Sequence, residues 1–406
     1  MEDNQSTPPV STEAPKTEVA PAQPTAAPRP MDVGAPKVTG EVAPPEETPP
    51  EPAPKPVVMS GAQRGSKTGL ILIVGVLLIA VGVGGWFLGK HGSSTPARAA
   101  TTTVTTTKAS TPKTTDTSKL PGLQLDTKKK YGNKYADGNL PVGDKKYQTT
   151  GAKQGYVYAC SGYATNLGQD PGGAQSRGPW FSSDGTTYNI NQKAHVSGSV
   201  SWQSSFNDAI TGSVRTITTN DLPMHPSGVF PIAASDAAYK YDKNPNSIKA
   251  QSYTYSLNAA PAYGSPQCIG GQVGVMLTGV AIFSGFDAGG RDAGAWEVQD
   301  SCGGHPEKSG EYHYHTLSSC IKDTSVSTVI GFALDGFPIT GPTVSSGNLL
   351  TTTDLDECHG ITSQIVLDGK SVTMYHYVMT QDFPYSVSCY RSTAISPPGL
   401  PAGGKQ

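Results

Sequence analysis

An uncharged apolar run, residues 70–88, divides this 406-residue chain into two parts of different character. A helix needs about 20 apolar residues to cross the hydrocarbon core of a bilayer. The run lies too far from the N-terminus, and is too long, for the apolar core of a cleaved signal peptide. We therefore predict one transmembrane helix over residues 67–90, which makes the membrane the first expected partner of this chain.

The segments on either side of the predicted span lack the residues of a folded core. Residues 1–66 contain no aromatic residue, and 15 of the 34 prolines lie before residue 60. Such a composition buries too little apolar surface to offset the entropy lost on ordering. We predict a disordered Pro-rich tail over residues 1–66 and an extended Thr/Ser/Pro-rich stalk over residues 91–119.

Cysteine usage sets the predicted topology. All six cysteines follow the predicted span: Cys160, Cys268, Cys302, Cys320, Cys358 and Cys389. An even number of cysteines confined to one side is typical of an oxidising compartment. Basic residues are nearly balanced across the span, so they do not set the orientation. We predict a single-pass protein of the cell membrane, with a cytoplasmic N-terminus and an extracytoplasmic, disulfide-containing domain over residues 120–406.

Short β-branched or aromatic runs bounded by Gly, Pro, Asn or Asp predict strands in this domain. The candidate strands are residues 156–159, 200–206, 214–218, 273–283, 329–334 and 372–380. An Asp-Gly pair at Asp335-Gly336 predicts a hairpin over residues 333–339. No long amphipathic helix is evident. The expected fold is mostly β, either sandwich or barrel-like, with long loops.

Two stretches of the domain echo each other. Asp300, Cys302, Tyr312-His313-Tyr314 and Cys320 recur as Asp356, Cys358, Tyr375-His376-Tyr377 and Cys389. The echo arises either by duplication or by chance from common residues. The simplest disulfide pattern that it suggests is Cys302–Cys320, Cys358–Cys389 and Cys160–Cys268, which is one of fifteen connectivities.

Three histidines form the candidate chemical site. In a strand, His313 and His315 share one face, while Tyr312 and Tyr314 point to the other. A Cys302–Cys320 bridge would bring His305 close to them. Neutral imidazoles favour zinc, copper, iron or nickel over magnesium or calcium. We therefore predict a transition-metal site, copper or zinc, at His305, His313 and His315; the alternative is a purely structural cluster.

Other polar residues near the cluster have weaker functional expectations. A carboxylate can orient a ligating imidazole or act as a base on metal-bound water; the candidates are Asp300, Glu307, Glu311 and Asp335. Asp335 also suits a tight turn. Among the other histidines of the domain, His376 is expected in the core or beside a ligand rather than as a ligand, and His359 in an ordinary loop. His195 and His225 have no neighbouring ligand types and are not expected to take part.

Four motifs in order resemble the YHYH domain proteins. They are Asp300-Ser-Cys-Gly-Gly-His305, Tyr312-His-Tyr-His315, Gly331-Phe-Ala-Leu-Asp-Gly-Phe-Pro-Ile339, and Phe383-Pro-Tyr385 with Cys389-Tyr-Arg391. The similarity spans about residues 279–391. It implies an exported or surface protein without a settled activity, with Tyr312 to His315 as signature residues and His305 and Asp335 beside them. Thr340 stands where the resemblance leads us to expect an aromatic residue, usually Tyr; if that ring lines the family's pocket, the pocket here is more open or differently tuned.

Three functions are compatible with these features. The first is a membrane-anchored surface protein that binds a transition metal. The second is an adhesion or glycan-binding module whose histidines are structural, and the third is a metal-dependent hydrolase. A small extracellular molecule or a glycan is the expected soluble ligand. The domain has no basic stripe, so nucleic acid is not expected as a partner.

Overall fold

The structure is a computed structural model that describes residues 120–399, apart from 170–173, 175 and 346. The predicted tail (1–66), transmembrane helix (67–90) and stalk (91–119) lie outside the described residues. Within the described part, no helix is long and apolar enough to cross a bilayer.

Short strands dominate the described part of the chain. The strands are β1 Asn139–Pro141, β2 Tyr147–Gln148, β3 Val157–Tyr158, β4 Thr187–Asn189, β5 Phe206–Thr211, β6 Val214–Thr219, β7 Tyr253–Asn258, β8 Gln272–Met276, β9 Ala281–Phe283, β10 Gly304–Pro306, β11 Tyr312–Tyr314, β12 Val329–Ala333, β13 Pro338–Thr340, β14 Gly360–Leu367 and β15 Lys370–Val378. The α-helices are α1 Ser161–Asn166 and α2 Ala293–Trp296, and the 3-10 helices are Ile190–Gln192, Ala237–Lys240 and Thr352–Asp354. For residues 120–399, a mostly β fold without a long helix is confirmed.

Two sheets share the main core. Eight strands form one mixed sheet in the order β10-β11-β9-β8-β12-β13-β15-β14, and β5, β6 and β7 form an antiparallel sheet of three. Ile217 and Tyr255 of the smaller sheet belong to the same buried cluster as Val275 and Phe332 of the larger one. The large sheet has β10 and β14 as its end strands, so the barrel prediction is wrong and the layered arrangement is closer to a sandwich.

Most of the strands were predicted at the right positions, but two of the predicted runs differ from the structure. The strands β3, β6, β12 and β15 each overlap a predicted run, and the β12–β13 hairpin is confirmed. Residues 273–283 form two strands, because the chain turns at Gly279, where φ is +86°. Residues 200–206 contribute only the first residue of β5. There the Trp202 indole N–H donates to the Ser227 hydroxyl at 2.9 Å, and the side chain packs against the main core.

All three predicted disulfides are present: Cys160–Cys268, Cys302–Cys320 and Cys358–Cys389. Within the described residues no cysteine is free. The second and third bridges close loops of 18 and 31 residues that contain the two echoed stretches. Each bridge stabilises the fold chiefly by restricting the unfolded chain.

The large sheet contains two halves with the same strand pairing, so the echo in the sequence is also present in the structure. In the first half, the β8–β9 hairpin is followed by the β10–β11 pair, and β11 runs parallel to β9. In the second half, the β12–β13 hairpin is followed by the β14–β15 pair, and β15 runs parallel to β13. The two halves meet where β8 pairs with β12.

Fine details of the backbone repeat as well. A register shift follows Gln272 in the first half and Val329 in the second. In the first half, Gly304 pairs with Tyr314 and His305 pairs with His313. In the second half, Gly360 pairs with Tyr377 in the same way, and Ile361 pairs with His376. The equivalence is therefore residue by residue, and the second half serves as a control for the first.

A glycine lies under a tyrosine ring in each half. A Cβ atom at Gly304 would overlap the Tyr312 ring, and one at Gly360 would overlap the Tyr375 ring. Since both rings are buried, Gly304→Ala is expected to lower the free energy of unfolding by about 2 kcal/mol or more. Gly132→Ala is the control, because its Cβ would meet no atom within 4 Å. Thermal unfolding checks this, and equal melting temperatures for the two variants would contradict it.

Candidate metal centre

The three predicted histidines lie side by side in the first half. His305 is the middle residue of β10 and pairs directly with His313, the middle residue of β11. His315 follows β11 by one residue and shares the face of His313. All three side chains are buried, and one nitrogen from each lies within 4.8 Å of the others. The prediction that these residues converge is confirmed.

A fourth donor group, Glu297, was not predicted from the sequence. It follows α2, and its Oε2 atom lies 3.3 Å from His305 Nε2 and 3.2 Å from His315 Nε2. Glu297 stands eight residues before His305 in a stretch without a ligand motif, so only the helix packing brings it to the cluster. The site therefore has three imidazoles and one carboxylate.

Backbone carbonyl groups define the tautomers of two imidazoles. His315 Nδ1 lies 2.6 Å from the Ser284 carbonyl oxygen, and His313 Nδ1 lies 3.2 Å from that of Glu311. A carbonyl oxygen only accepts, so each Nδ1 carries the proton and donates it. When both rings are neutral, both Nε2 atoms present lone pairs, although they lie 3.1 Å apart. Two lone pairs at this distance repel unless a proton or a metal ion lies between the two nitrogens.

The remaining donor atoms also lack partners. Glu297 Oε2 and both ring nitrogens of His305 make no hydrogen bond of acceptable geometry within the described structure. Buried polar groups are nearly always hydrogen-bonded, and an exception calls for an explanation such as an ion. Imidazole nitrogen and carboxylate oxygen are donors that zinc and copper accept. The residues therefore fit a transition-metal ion.

The charge of each ionisable group in the cluster shifts the pKa values of its neighbours. Burial opposes the charge on Glu297, but the neighbouring His305 and His315 outweigh burial and lower the pKa of this carboxyl well below its usual value. Burial also opposes the charge on His305. The attraction of the Glu297 carboxylate outweighs the effect of burial and raises the pKa of this imidazole. Burial, together with the other two histidines, lowers the pKa of His313 well below its usual value. The charged forms of Glu297 and His305 therefore stabilise each other.

A supporting layer holds the donors in place. The Phe283 ring stacks on His313 with centroids 4.2 Å apart. The buried Lys193 ammonium donates to the Gly294 carbonyl oxygen at 2.7 Å and to Gln299 Oε1 at 2.5 Å, which ties down the segment carrying Glu297. Burial lowers the pKa of Lys193 to about 8. Such outer contacts orient metal ligands.

The tyrosines of the motif point away from the imidazoles, as predicted. The Tyr312 hydroxyl donates to Asp300 Oδ2 at 2.8 Å. The Tyr314 hydroxyl lies 2.5 Å from His225 Nε2 and 3.2 Å from the Thr278 hydroxyl. His225, which was not among the predicted metal ligands, thus packs on the tyrosine face. It also lies near the sulfurs of Cys302 and Cys320, whose disulfide removes them as metal ligands.

The carboxylates proposed as orienting groups or bases have structural contacts instead. Asp300 accepts from the backbone N–H groups of residues 228, 302 and 304 as well as from Tyr312. Asp335 is buried and accepts from the Tyr377 hydroxyl at 2.7 Å, and burial raises its pKa to about 6. Glu307 Oε1 accepts from the backbone of residues 309 and 311. Glu311 contributes only its carbonyl oxygen to the site.

The second half has no equivalent cluster of histidines. His376 occupies the place of His313, but Ile361 and Val378 replace the other two imidazoles. The His376 ring instead lies 2.9 Å from the Thr340 hydroxyl and 2.8 Å from that of Ser363. Burial lowers the pKa of His376 to about 4, so the ring is neutral and packed in the core, as expected.

Two further expectations concern Thr340 and His359. Thr340 is fully buried against His376, and the expectation of a more open or differently tuned pocket stays a prediction. His359 is also buried, with its Nε2 atom 3.0 Å from the Thr380 hydroxyl. His359 stands at the position equivalent to Gly303, and both residues have a positive φ, which is +70° for His359 and +80° for Gly303. His195 lies outside the three-histidine cluster, as expected.

Fold and site together define a disulfide-bonded, mostly β domain with a buried histidine–carboxylate cluster in one half of a duplicated sheet. Residues 252–348 match the family model described as YHYH protein, so this part of the chain is a YHYH domain. The match contains all four donor residues but ends before the second half is complete. Comparison with curated proteins and with solved structures found no significant match.

Proposed function

We propose that this protein is a membrane-anchored cell-surface protein that binds one transition-metal ion, copper or zinc, through His305, His313, His315 and Glu297. The observation that carries the proposal is the 3.1 Å approach of His313 Nε2 and His315 Nε2 while both Nδ1 atoms face carbonyl oxygens. A metal ion between the donors would remove this repulsion and give the unpartnered atoms of Glu297 and His305 a ligand.

The donor set favours binding over hydrolysis. Four donors from buried side chains suit a closed, four-coordinate site, whereas a catalytic zinc keeps a position open for water or substrate. The two described cavities are lined by other residues, one around Arg391 and one around Lys129. The proposal therefore assigns the metal to binding or storage at the surface and includes no reaction.

Placement outside the cytoplasm is part of the proposal. Three disulfides that close the described domain suit an oxidising compartment. The apolar run at residues 70–88 has the length and composition of a membrane span. A protease-protection assay on intact cells tests this, since an external domain is cleaved without lysis.

Elemental analysis of the purified full-length protein tests the metal site. We expect about one equivalent of zinc or copper after loading and gel filtration, and a loss of at least 90% of it in His313→Ala/His315→Ala. This expectation rests on two of the four donors being removed. His225→Ala is the matched control, because this partly exposed histidine contacts Tyr314 on the opposite face. Equal metal content in all three proteins would overturn the proposal.

A further inference from the structure

The two halves of the large sheet differ at one equivalent surface position, next to the aspartate that begins each echoed stretch. In the first half, Asp300 is fully buried, and its Oδ2 atom accepts from the backbone N–H of Gly228 at 2.9 Å. In the second half, Asp356 Oδ2 accepts from the Arg391 guanidinium at 2.7 Å. The chain itself covers the first position, whereas the second one opens into a cleft.

The cleft has the size and lining of a small-ligand site. Its volume is about 540 Å³, within the range of 300–1,000 Å³ usual for ligand pockets. Asp356, Glu357 and Arg391 lie on one side of it, with Tyr263 and Gln154 also in the lining. Polar hydrogen-bonding groups beside an aromatic ring are the combination that orients a small polar ligand.

Arg391 lines the cleft but is mostly buried. Only about 5% of this residue is exposed, and its Nε atom is enclosed by protein, so Nε is not accessible to a ligand. One nitrogen, Nη2, serves both Asp356 at 2.7 Å and Glu357 at 2.6 Å. The guanidinium also lies over the Tyr263 ring, 4.7 Å from its centroid. The arginine is thus held rigidly at the wall of the cleft.

The charges of the cleft restrict what it can bind. Asp356 and Glu357 carry two negative charges against the single positive charge of Arg391, so an anionic ligand is disfavoured. An ammonium ligand offers no acceptor for the guanidinium N–H groups. Hydroxyl groups both donate and accept without carrying charge. They can therefore donate to the partly exposed Glu357 carboxylate and accept from Arg391 Nη1, since the contacts of the guanidinium to Asp356 and Glu357 use Nη2.

We propose that this cleft, bounded by Tyr263, Glu357 and Arg391, binds a neutral sugar residue. The metal centre and the sugar cleft then occupy different halves of the duplicated sheet. The first half has three histidines and a covered surface position, whereas the second half has one histidine at the three equivalent positions and an open surface position. The proposal stands apart from metal binding, because it uses none of the four donor residues.

Saturation-transfer NMR on the full-length protein tests the cleft with four probes, the methyl glycosides of glucose, galactose, mannose and N-acetylglucosamine. We expect saturable binding of at least one glycoside in the millimolar range. Affinity should fall tenfold or more in Glu357→Gln and in Tyr263→Ala. Asp323→Asn is the control, since this exposed carboxylate lies in a loop before β12 and contacts residues 325 and 328.

The outcomes separate the sugar site from both misfolding and the metal site. Melting temperatures and metal content equal to wild type in Glu357→Gln show that the variant is folded with its first half intact. If none of the four glycosides binds saturably, or if both cleft variants bind like wild type, the proposal is wrong. Loss of binding in His313→Ala/His315→Ala with the cleft variants unaffected would also overturn it.

Discussion

Replacing Asp300 by alanine is expected to lower the free energy of unfolding by about 4 kcal/mol or more. The carboxylate accepts four hydrogen bonds, from the backbone N–H groups of Gly228, Cys302 and Gly304 and from the Tyr312 hydroxyl. Each buried donor left without a partner costs about 1–3 kcal/mol. Metal content should fall too, because the lost contacts hold the start of β10, which carries His305, against β11.

The duplication supplies the control for this prediction. Asp356 makes the equivalent contacts in the second half, with Cys358 N, Gly360 N and the Tyr375 hydroxyl. Asp356→Ala should therefore destabilise the domain by a similar amount and leave the metal content per folded molecule unchanged. Thermal unfolding and elemental analysis of both variants check this. A melting temperature of Asp300→Ala within about 2 °C of wild type, or equal metal loss in both variants, would contradict it.

The sequence predicted the part of the site that depends on local periodicity. His313 and His315 share a face because a strand alternates its side chains, and this holds whatever sheet the strand joins. The echo of cysteines around the two Tyr-His-Tyr motifs predicted all three disulfides. His305 followed from the Cys302–Cys320 bridge. These inferences need only neighbours in sequence or a covalent link.

Glu297 could not be found in this way. Its approach to His305 and His315 depends on the four-residue helix α2, which is fixed by contacts distant in sequence. Asp292 caps this helix through the N–H of Ala295 and also accepts from Gly143 N at 2.7 Å. No spacing rule links such positions, so the carboxylate ligand became evident only from the packed structure.

The sheet order was equally beyond local reasoning. Strand composition indicated a mostly β domain, but the parallel pairing of β11 with β9 and of β15 with β13 joins strands separated by long connections. The sequence echo is clear only in the Asp, Cys and Tyr-His-Tyr positions. The hairpins β8–β9 and β12–β13 repeat in backbone geometry with little identity beyond glycines such as Gly274 and Gly331. The repeat is therefore easier to recognise from the pairing register of the strands than from identical residues in the sequence.

Removing the metal is expected to lower the melting temperature at pH 8 by about 10 °C. A ligand at a thousand times its dissociation constant stabilises the folded state by about 4 kcal/mol. Unfolding entropies of domains of about 150–250 residues convert each kcal/mol into roughly 2–4 °C. The measurement compares zinc-loaded with chelator-treated full-length protein by differential scanning calorimetry. Glu297→Gln should show a smaller difference, because the amide replaces a carboxylate ligand.

The pH dependence distinguishes a metal site from a proton-stabilised cluster. In the metal-free protein, the pKa of His305 is raised because Glu297 outweighs the effect of burial. A raised histidine pKa stabilises the fold below the pKa of the unfolded chain, and this stabilisation is lost as the pH rises through the folded value. Bound metal requires neutral imidazoles, so its stabilisation is instead lost as the pH falls. The gap in melting temperature should therefore be widest near pH 8 and close near pH 5. A gap that is absent at pH 8, or constant over this range, would show that the imidazole cluster is stabilised without a metal ion.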